Sequence, residues 1–350
     1  MTKILTSGIA AAAALAFATL VPATAADTLK FIEGAPPTIS MADLYVAEAA
    51  GFLEAEGLTV PADFAQNGAV ATQLVASDQG DIGDVSMEPY LSGFEKGMRG
   101  KFIGARGNLN IYFLAIPADS SIQTMKDLEG KKIGVLSMAS QAIPYIRSMA
   151  RSAGMDPNAD MFLPVGFGDS AVAALKSGQV QALALNRIAY AGLVRAGLEF
   201  RYIFHPTIAD AGNYGYFTSD ATIAAKRSQL VGFLRAMVKS DIFIRENPGA
   251  ALAIFWKKHP EAKPAGSEED AIRLGTLELT FNPATDAMLK VERISAPDKV
   301  ALERLVSAMR EEGLVTSNLT VADLVDDSLI AEANQGVDTE AVKKIAREWK

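Results

Sequence analysis

The fourteen residues from Gly68 to Asp81, GAVATQLVASDQGD, decide how the rest of this chain is interpreted. One hundred residues later, from Gly168 to Gln181, the chain reads GDSAVAALKSGQVQ, and Gly, Ala, Ser and Gln recur at four matching positions. Two windows of this length and average composition would share about one identity. The recurrence therefore predicts one structural unit that is used twice.

Each window has the pattern of a helix that leads into a strand, and a strand pattern precedes each helix. The first unit consists of TVPADFA, GAVATQLVAS and DIGDVS, and the second consists of DMFLPVG, DSAVAALKSG and VQALALN. Strands and helices that alternate at this spacing are typical of open, mainly parallel sheets with flanking helices. The residues therefore predict an α/β fold.

The length of the chain suggests two lobes, because 350 residues exceed one compact core of ordinary size. Strand crossings predicted near Tyr112–Ile116 and Asn213–Phe217 would enclose a middle lobe and form a hinge. We expect lobe 1 to comprise residues 27–112 and 218–350, and lobe 2 to comprise residues 113–217.

The N-terminus has the pattern of a cleavable export signal. One basic residue, Lys3, precedes an apolar run from Ile4 to Val21, and an Ala-x-Ala site follows the run. Small residues dominate the run and no basic flank follows it, which favours cleavage over the alternative, a transmembrane anchor. We expect residues 1–26 to be removed near Ala25 or Ala26, which makes the mature protein periplasmic.

Composition excludes several classes of function. The chain has no cysteine, so disulfides, thiol nucleophiles and a lipid anchor on cysteine are excluded. The formal net charge of −8 argues against nucleic acid as a partner, because phosphates demand cationic neutralisation. We expect a monomer that diffuses freely.

Catalysis finds little support in the sequence. Only two histidines, His205 and His259, are present, and no G-x-S-x-G, H-E-x-x-H, P-loop or G-x-G-x-x-G motif occurs. A Ser-His-Asp arrangement that uses His205 stays open as an alternative. We expect no enzymatic activity, no cofactor and no metal.

Candidate ligand contacts lie where strands end, because ligands of open α/β lobes sit outside the carboxyl ends of strands, near helix N-termini. N-capping is the alternative role for the hydroxyl and amide side chains, and packing is the alternative for the aromatic ones. The candidates are Thr38, Asn67, Gly68, Ser86, Glu88, Asn110, Ser137, Ser140, Gln141, Phe167, Asn186, Arg187, Tyr190 and Tyr214.

Glu88 and Arg187 are the two charged candidates, and each follows a buried strand. A charge in such a place needs a partner, which is either a ligand or a neighbouring ion. The planar guanidinium of Arg187 suits a carboxylate or a sulfonate. A cleft that holds both charges would favour a zwitterion, and one that holds only Arg187 would favour an acid.

Five stretches of the chain, in order, resemble the periplasmic solute-binding proteins of ABC importers, in the nitrate, taurine, alkanesulfonate and thiamine-pyrimidine group. The stretches are LYVAEAAGFLEAEGLTV, QLVASDQGDIGDVS, IQTMKDLEGKKIGV, AVAALKSGQVQALAL and LVGFLRAMVKSDIFIRENPGAA. The resemblance implies a type II-like, two-lobed binding protein fold that closes on a small polar organic solute, anionic or zwitterionic, and delivers it to a permease. It also supports, by position, Thr38, Asn67, Gly68, Ser86, Ser137, Ser140, Gln141 and Arg187 as contacts.

Two departures from the family leave the solute open. Many members carry a Trp-Glu-Pro-like segment where this chain has NRIAYAG, and SMEPYLSG places Glu88 where a small hydroxyl residue would suit an anion. A ligand-sensing partner of a membrane receptor would have the same sequence pattern. A pyrimidine-precursor synthase of the same fold is disfavoured, because its Cys-rich loop is absent here.

Overall fold

Two five-stranded sheets organise this protein, whose computed structural model describes residues 26–35, 37–281, 294 and 296–349. The expected export signal lies outside the described residues, apart from Ala26. Among the described residues, no helix is both long enough and apolar enough to span a bilayer.

The strands are short, and most are buried at their centres. Their bounds are β1 (Asp27–Thr28), β2 (Phe31–Glu33), β3 (Leu58–Thr59), β4 (Ala62–Phe64), β5 (Ile82–Ser86), β6 (Lys101–Ala105), β7 (Tyr112–Pro117), β8 (Ile133–Val135), β9 (Phe162–Pro164), β10 (Ala182–Asn186), β11 (Phe200–Ile203) and β12 (Tyr214–Thr218).

Helices connect the strands and form most of the C-terminal part. Their bounds are α1 (Ala42–Ala49), α2 (Phe52–Ala55), α3 (Gly68–Ala76), α4 (Glu88–Phe94), α5 (Ala142–Ser152), α6 (Asp169–Lys176), α7 (Arg187–Arg195), α8 (Asp220–Glu246), α9 (Pro248–Lys258), α10 (Glu268–Thr280), α11 (Lys299–Glu311), α12 (Val321–Leu324), α13 (Ser328–Ala333) and α14 (Thr339–Glu348).

The two sheets have the same topology. The first sheet, which defines the first lobe, has the order β4-β2-β5-β12-β6, and the second sheet, which defines the second lobe, has the order β9-β8-β10-β7-β11. In each sheet three parallel strands are followed by one antiparallel strand that arrives from a distant part of the chain. The α/β architecture predicted from the alternation is confirmed.

The repeated windows occupy equivalent places, as the sequence predicts. Helix α3 and strand β5 form the first unit, and α6 and β10 form the second, with β5 and β10 separated by one hundred residues. Asn67 caps α3 by accepting a hydrogen bond from the Val70 amide at 3.1 Å. Gly168 precedes α6 with φ of 55°, a conformation that glycine adopts without strain.

The crossing strands differ in one respect from the expected boundaries. Strand β7 lies in the second sheet, but β12 lies in the first, where Tyr214 pairs with Ser86 and Phe217 pairs with Gly83. Residues 214–217 therefore belong to the first sheet, although we expected them in the second lobe. The antiparallel ladder with β5 holds them there.

Apolar side chains cover both faces of each sheet. In the first lobe, one face packs against α1, α8 and α9, and the other packs against α3 and α11. In the second lobe, α5 covers one face, and α6 and α7 cover the other. Because every sheet face is buried, a polar side chain on these strands requires an explanation.

Candidate functional site

Two chain segments join the lobes, and backbone hydrogen bonds tie these segments together. The amide of Ile111 donates to Asn213 Oδ1 at 2.9 Å, and the amide of Asn110 donates to the Ala209 carbonyl at 2.9 Å. The amide of Met87, at the end of the first unit, donates to the Asn213 carbonyl. Asn213 therefore connects the two segments at the hinge.

Glu88 is part of this hinge. Its Oε1 accepts hydrogen bonds from the Tyr145 hydroxyl of the second lobe and, at 2.7 Å, from Asn213 Nδ2. Its side chain is buried, and burial raises its pKa, while hydrogen bonds from Ser86, Tyr145 and Asn213 act in the opposite direction. Of the two roles open to Glu88, the geometry favours a structural polar link between lobes.

Asn110 also belongs to the hinge. Its side-chain oxygen accepts a hydrogen bond from the Tyr112 amide at 2.9 Å, and its side chain is buried. Ser86 is buried at the end of β5 beside Glu88. Both residues therefore lie where the lobes are joined.

The carboxyl edge of the first sheet carries three of the predicted contacts. Thr38 precedes a single turn of 3-10 helix, Ile39–Met41, and its hydroxyl lies 2.7 Å from that of Ser40. Asn67 and Gly68 begin α3. A Cβ atom at Gly34 would lie 2.9 Å from the Gly68 Cα, so the loop after β2 approaches the start of α3 closely.

Behind this edge lies a cluster of charged side chains that the sequence analysis missed. Arg106 donates to a carboxylate oxygen of Asp84, and to Asp43 Oδ2 and the Ser40 carbonyl, both at 2.6 Å. Glu33 lies beside Asp84, because the two residues are register partners on the neighbouring parallel strands β2 and β5. We call Glu33, Asp43, Asp84 and Arg106 the acidic cluster.

Burial dominates the electrostatics of the acidic cluster. Desolvation raises the pKa of Glu33 well above its ordinary value, and the charges of Asp84 and Asp43 add to this effect. Desolvation also raises the pKa of Asp84 to about 7, although Arg106 opposes the shift. The cluster holds more carboxyl groups than its single guanidinium can pair.

The carboxyl edge of the second sheet presents polar helix starts and one cation. Ser140 Oγ accepts a hydrogen bond from the Ala142 amide at 3.3 Å, and Asn186 Oδ1 caps α7 by accepting from the Ala189 amide at 2.9 Å. Ser137 and Gln141 are half-buried in the turn before α5. Capping accounts for the presence of Ser140 and Asn186 at these positions. A contact between either side chain and a ligand would be a second role.

Arg187 lies between the lobes. It is the first residue of α7, and it lines a narrow cleft together with residues of the 3-10 turn in the first lobe and of α10. The lining residues are Ile39, Ser40, Arg187, Ile188, Ala191, Glu278, Leu279 and Phe281. Arg187 therefore lies in a cleft that both lobes form.

The two tyrosine candidates are placed differently. Tyr190 is fully buried in the second lobe, where its hydroxyl donates to backbone carbonyls and accepts from the Leu185 amide at 2.8 Å. These bonds give Tyr190 a structural role, so we leave it out of the proposed contacts. Tyr214 is half-buried at the start of β12, and its hydroxyl donates to the Asp84 carbonyl at 3.2 Å.

Large apolar side chains are exposed at the same two edges. Phe167 is 50% exposed, which is unusual for a phenylalanine, and four more exposed apolar residues lie at strand ends or helix starts of this kind. They are Phe64, Val70, Leu136 and Met138. We call these five exposed residues the apolar rim of the two sheet edges.

The residues that sequence reasoning missed had a detectable signal. FIE and DIGDVS are short strands, and in each an acidic residue follows a buried apolar one by two positions, as Glu33 follows Phe31 and Asp84 follows Ile82. Because residues two apart on a strand share a face, this pattern places both carboxyl groups on the buried face. Arg106, the partner, had no such signal because it follows a strand.

The structure describes no group of three or more His, Cys, Asp or Glu side chains, within its residue ranges, that could hold a metal ion.

Solved structures share this fold. The periplasmic aliphatic sulphonate binding protein SsuA from Escherichia coli is 14% identical, with a TM-score of 0.65 over 85% of this chain and 97% of that one. The periplasmic nitrate-binding protein NrtA from Synechocystis PCC 6803 is 15% identical, with a TM-score of 0.65 over 92% and 98%. At these identities the similarity shows the fold, which is the expected two-lobed binding protein fold.

A third similar structure contains a bound molecule. The alkanesulfonate-binding protein SsuA from Xanthomonas axonopodis pv. citri, bound to MOPS, is 16% identical, with a TM-score of 0.63 over 86% of this chain and 98% of that one. A comparison with curated proteins found no significant match. The family model described as NMT1/THI5 like matches residues 38–251, which is more than half of the chain. The chain therefore belongs to the NMT1/THI5-like family.

Proposed function

We propose that this protein is the solute-binding component of an ABC importer, which captures a small polar organic solute between its lobes and delivers it to the permease. The observation that carries the proposal is the cleft in which Arg187 of the second lobe faces Ile39 and Ser40 of the first. A solute that contacts both sheet edges binds the closed form of the protein more tightly than the open form. This difference in affinity drives closure.

The cleft residues suggest how the solute is held. Arg187 suits a carboxylate or sulfonate, because its planar fork can donate two parallel hydrogen bonds. Thr38, Ser137 and Gln141 offer hydroxyl and amide groups at the two edges. Phe64, Phe167 and the other rim residues contact the apolar body of the solute.

The cellular setting is part of the same proposal. Export by the N-terminal signal brings the mature protein to the periplasm, where it acts as a monomer with no chemistry of its own. Similar structures described as periplasmic nitrate-binding and sulphonate-binding proteins support this setting. The permease is a transient partner that recognises the closed form.

A thermal-shift screen of the mature protein tests the proposal. The panel contains taurine, alkanesulfonates, nitrate, pyrimidines, aromatic acids and amino acids. A solute at one hundred times its Kd stabilises the folded state by about 2.7 kcal/mol, which is readily detected. A protein that responds to no member of this panel contradicts the proposed receptor function.

Arg187→Ala tests the contact that carries the proposal. We expect the affinity for the anionic solute found in the screen to fall by about 2 kcal/mol or more in calorimetry, the scale for losing a charged hydrogen-bonding partner. Lys176→Ala, which removes an exposed cation at the end of α6, is the control and should bind normally. Unchanged affinity in Arg187→Ala removes this residue from the site.

A further inference from the structure

The acidic cluster has two carboxylate oxygens that the described residues leave unpaired. Glu33 Oε2 and Asp84 Oδ1 are buried and have no hydrogen-bonding partner. Glu33 is 2% exposed and Asp84 is 1% exposed, so bulk water does not compensate them. An unpaired buried acceptor costs free energy, so each such group calls for an explanation, and a bound group with N–H donors is one.

The second lobe shows that the fold itself does not require these acids. Glu33 pairs with Asp84 across β2 and β5, and the equivalent register partners across β8 and β10 are Val135 and Ala184. Both residues of the second pair are fully buried in an apolar core. The same backbone arrangement is therefore stable with two apolar side chains.

Arg106 accounts for only part of the negative charge. Its guanidinium donates to Asp84, Asp43 and the Ser40 carbonyl. No hydrogen bond joins it to Glu33 in the part of the chain that the structure describes, although its charge lowers the Glu33 pKa. A second group that carries positive charge and N–H donors would complete the cluster.

The cluster lies directly behind the wall of the cleft. Ser40 lines the cleft with Arg187, and the carbonyl of the same Ser40 accepts the hydrogen bond from Arg106. Gly34, which follows Glu33, packs directly against the start of α3, where a Cβ atom would lie 2.9 Å from the Gly68 Cα. A solute that contacts Ser40 beside Arg187 is therefore separated from the acidic cluster by Ser40 alone.

We propose that Glu33 and Asp84 form a subsite for a protonated nitrogen of the solute, an ammonium or amidinium group, so that the captured solute is cationic at this end. The inference rests on the proposed receptor function and specifies its substrate class. An ammonium group has three donors and no acceptor, which matches two unpaired carboxylate oxygens in a buried place. With Arg187 opposite, the solute is a zwitterion.

Matched solutes test the subsite. Taurine and 2-hydroxyethanesulfonate form one pair, β-alanine and 3-hydroxypropionate a second, and 4-guanidinobutyrate and 4-hydroxybutyrate a third, each measured by thermal shift and calorimetry on the mature protein. We expect at least one nitrogen-bearing member to bind at least tenfold more tightly than its hydroxyl analogue. Calcium and zinc chlorides are included, and stabilisation by a metal salt with no response to any amine overturns the inference.

The outcomes separate this inference from the proposed function. Binding of hydroxyl analogues as tight as that of the amines overturns the cationic subsite and leaves the receptor function intact. A protein that binds no member of any pair and no compound of the wider panel overturns both.

Glu33→Gln gives a readout that a purely structural role would not produce. We expect this variant to lower the affinity for the nitrogen-bearing solute at least tenfold and to change the affinity for the hydroxyl analogue less than twofold. The melting temperature of the unliganded protein at pH 8 should stay the same or rise. The stability gain is expected because the variant removes a buried acid that is costly to ionise. Asp84→Asn should also lower the affinity for the nitrogen-bearing solute. Glu54→Gln, at an exposed position, is the control and should change neither this affinity nor the melting temperature.

The opposite pattern identifies a structural cluster. If Glu33→Gln lowers the melting temperature and leaves the amine affinity unchanged, the carboxyl group stabilises the fold and the subsite is rejected. Equal weakening of both members of a solute pair also rejects it, because a contact with nitrogen must discriminate between them.

Discussion

The two lobes share a topology but differ in the chemistry of one pair of strand ends. Glu33 and Asp84 in the first lobe are register partners, as are Val135 and Ala184 in the second. The next strand continues the contrast, because Asp84 is paired with Tyr216, and Ala184 is paired with Leu114. One lobe therefore has a polar cluster where the other has apolar core.

The repeat and the site are therefore separate properties of the sequence. Recurring residues such as Gly68 and Gly168 build the same helix and strand in both lobes. The charges that distinguish the lobes lie outside the recurring letters, at Glu33 and Arg106 in one lobe and at Arg187 in the other. A zwitterionic solute would use this asymmetry, since each end meets a different lobe.

Arg106→Met should produce the largest effect, because it removes the only cation of the acidic cluster. We expect the free energy of unfolding at pH 7 to fall by about 3 to 5 kcal/mol, the usual cost of leaving buried carboxylates without their partner. Urea unfolding followed by circular dichroism measures it. Arg227→Met, which breaks the exposed ion pair with Glu332, is the control and should have a much smaller effect.

Equal losses in the two variants would show that the cluster is more solvated than the structure indicates. The difference between the polar strand pair of the first lobe and the apolar pair of the second would then have no effect on the free energy of unfolding. A large loss confined to Arg106→Met supports the view that the first lobe retains a costly arrangement that the second lobe avoids.

Much of the fold could be predicted from the sequence, because alternation and recurrence are local signals. The window at Gly68–Asp81 and its counterpart predict two equivalent units, and the structure contains them at the same spacing. The crossing strand β12 was placed in the wrong lobe, because strand partners depend on long-range pairing that one sequence does not display. Its partner Ser86 is more than one hundred residues away.

The site was less predictable than the fold. Glu88 follows a strand and carries a charge, which made it a candidate, but its partners Tyr145 and Asn213 come from distant segments. Arg187 was identified because it ends a repeated unit. Glu33 and Asp84 were not among the candidates, because they lie within strands and the candidates lie at strand ends.

Tyr190→Phe and Tyr90→Phe compare the two lobes at tyrosines one hundred residues apart. The Tyr190 hydroxyl donates to buried carbonyls and accepts from the Leu185 amide, whereas the Tyr90 hydroxyl donates to the Asp323 carbonyl at 3.0 Å. We expect losses in the free energy of unfolding of about 2 kcal/mol for Tyr190→Phe and about 1 kcal/mol for Tyr90→Phe, because only the former leaves a buried amide unpaired. A larger loss at Tyr90 contradicts this ranking.

The smallest predicted effects concern Asn67 and Phe167, which precede the equivalent helices α3 and α6. Asn67→Ala removes a helix cap and should lower the free energy of unfolding by about 1 kcal/mol. Phe167→Ala removes a side chain that is 50% exposed, so the change should stay within about 0.5 kcal/mol. Urea unfolding measures the stability of both variants, and calorimetry measures their affinity for the solute.

If Phe167 contacts the apolar body of the solute, its variant loses affinity while it keeps its stability. A variant that keeps both properties leaves the rim of the second lobe without a part in binding.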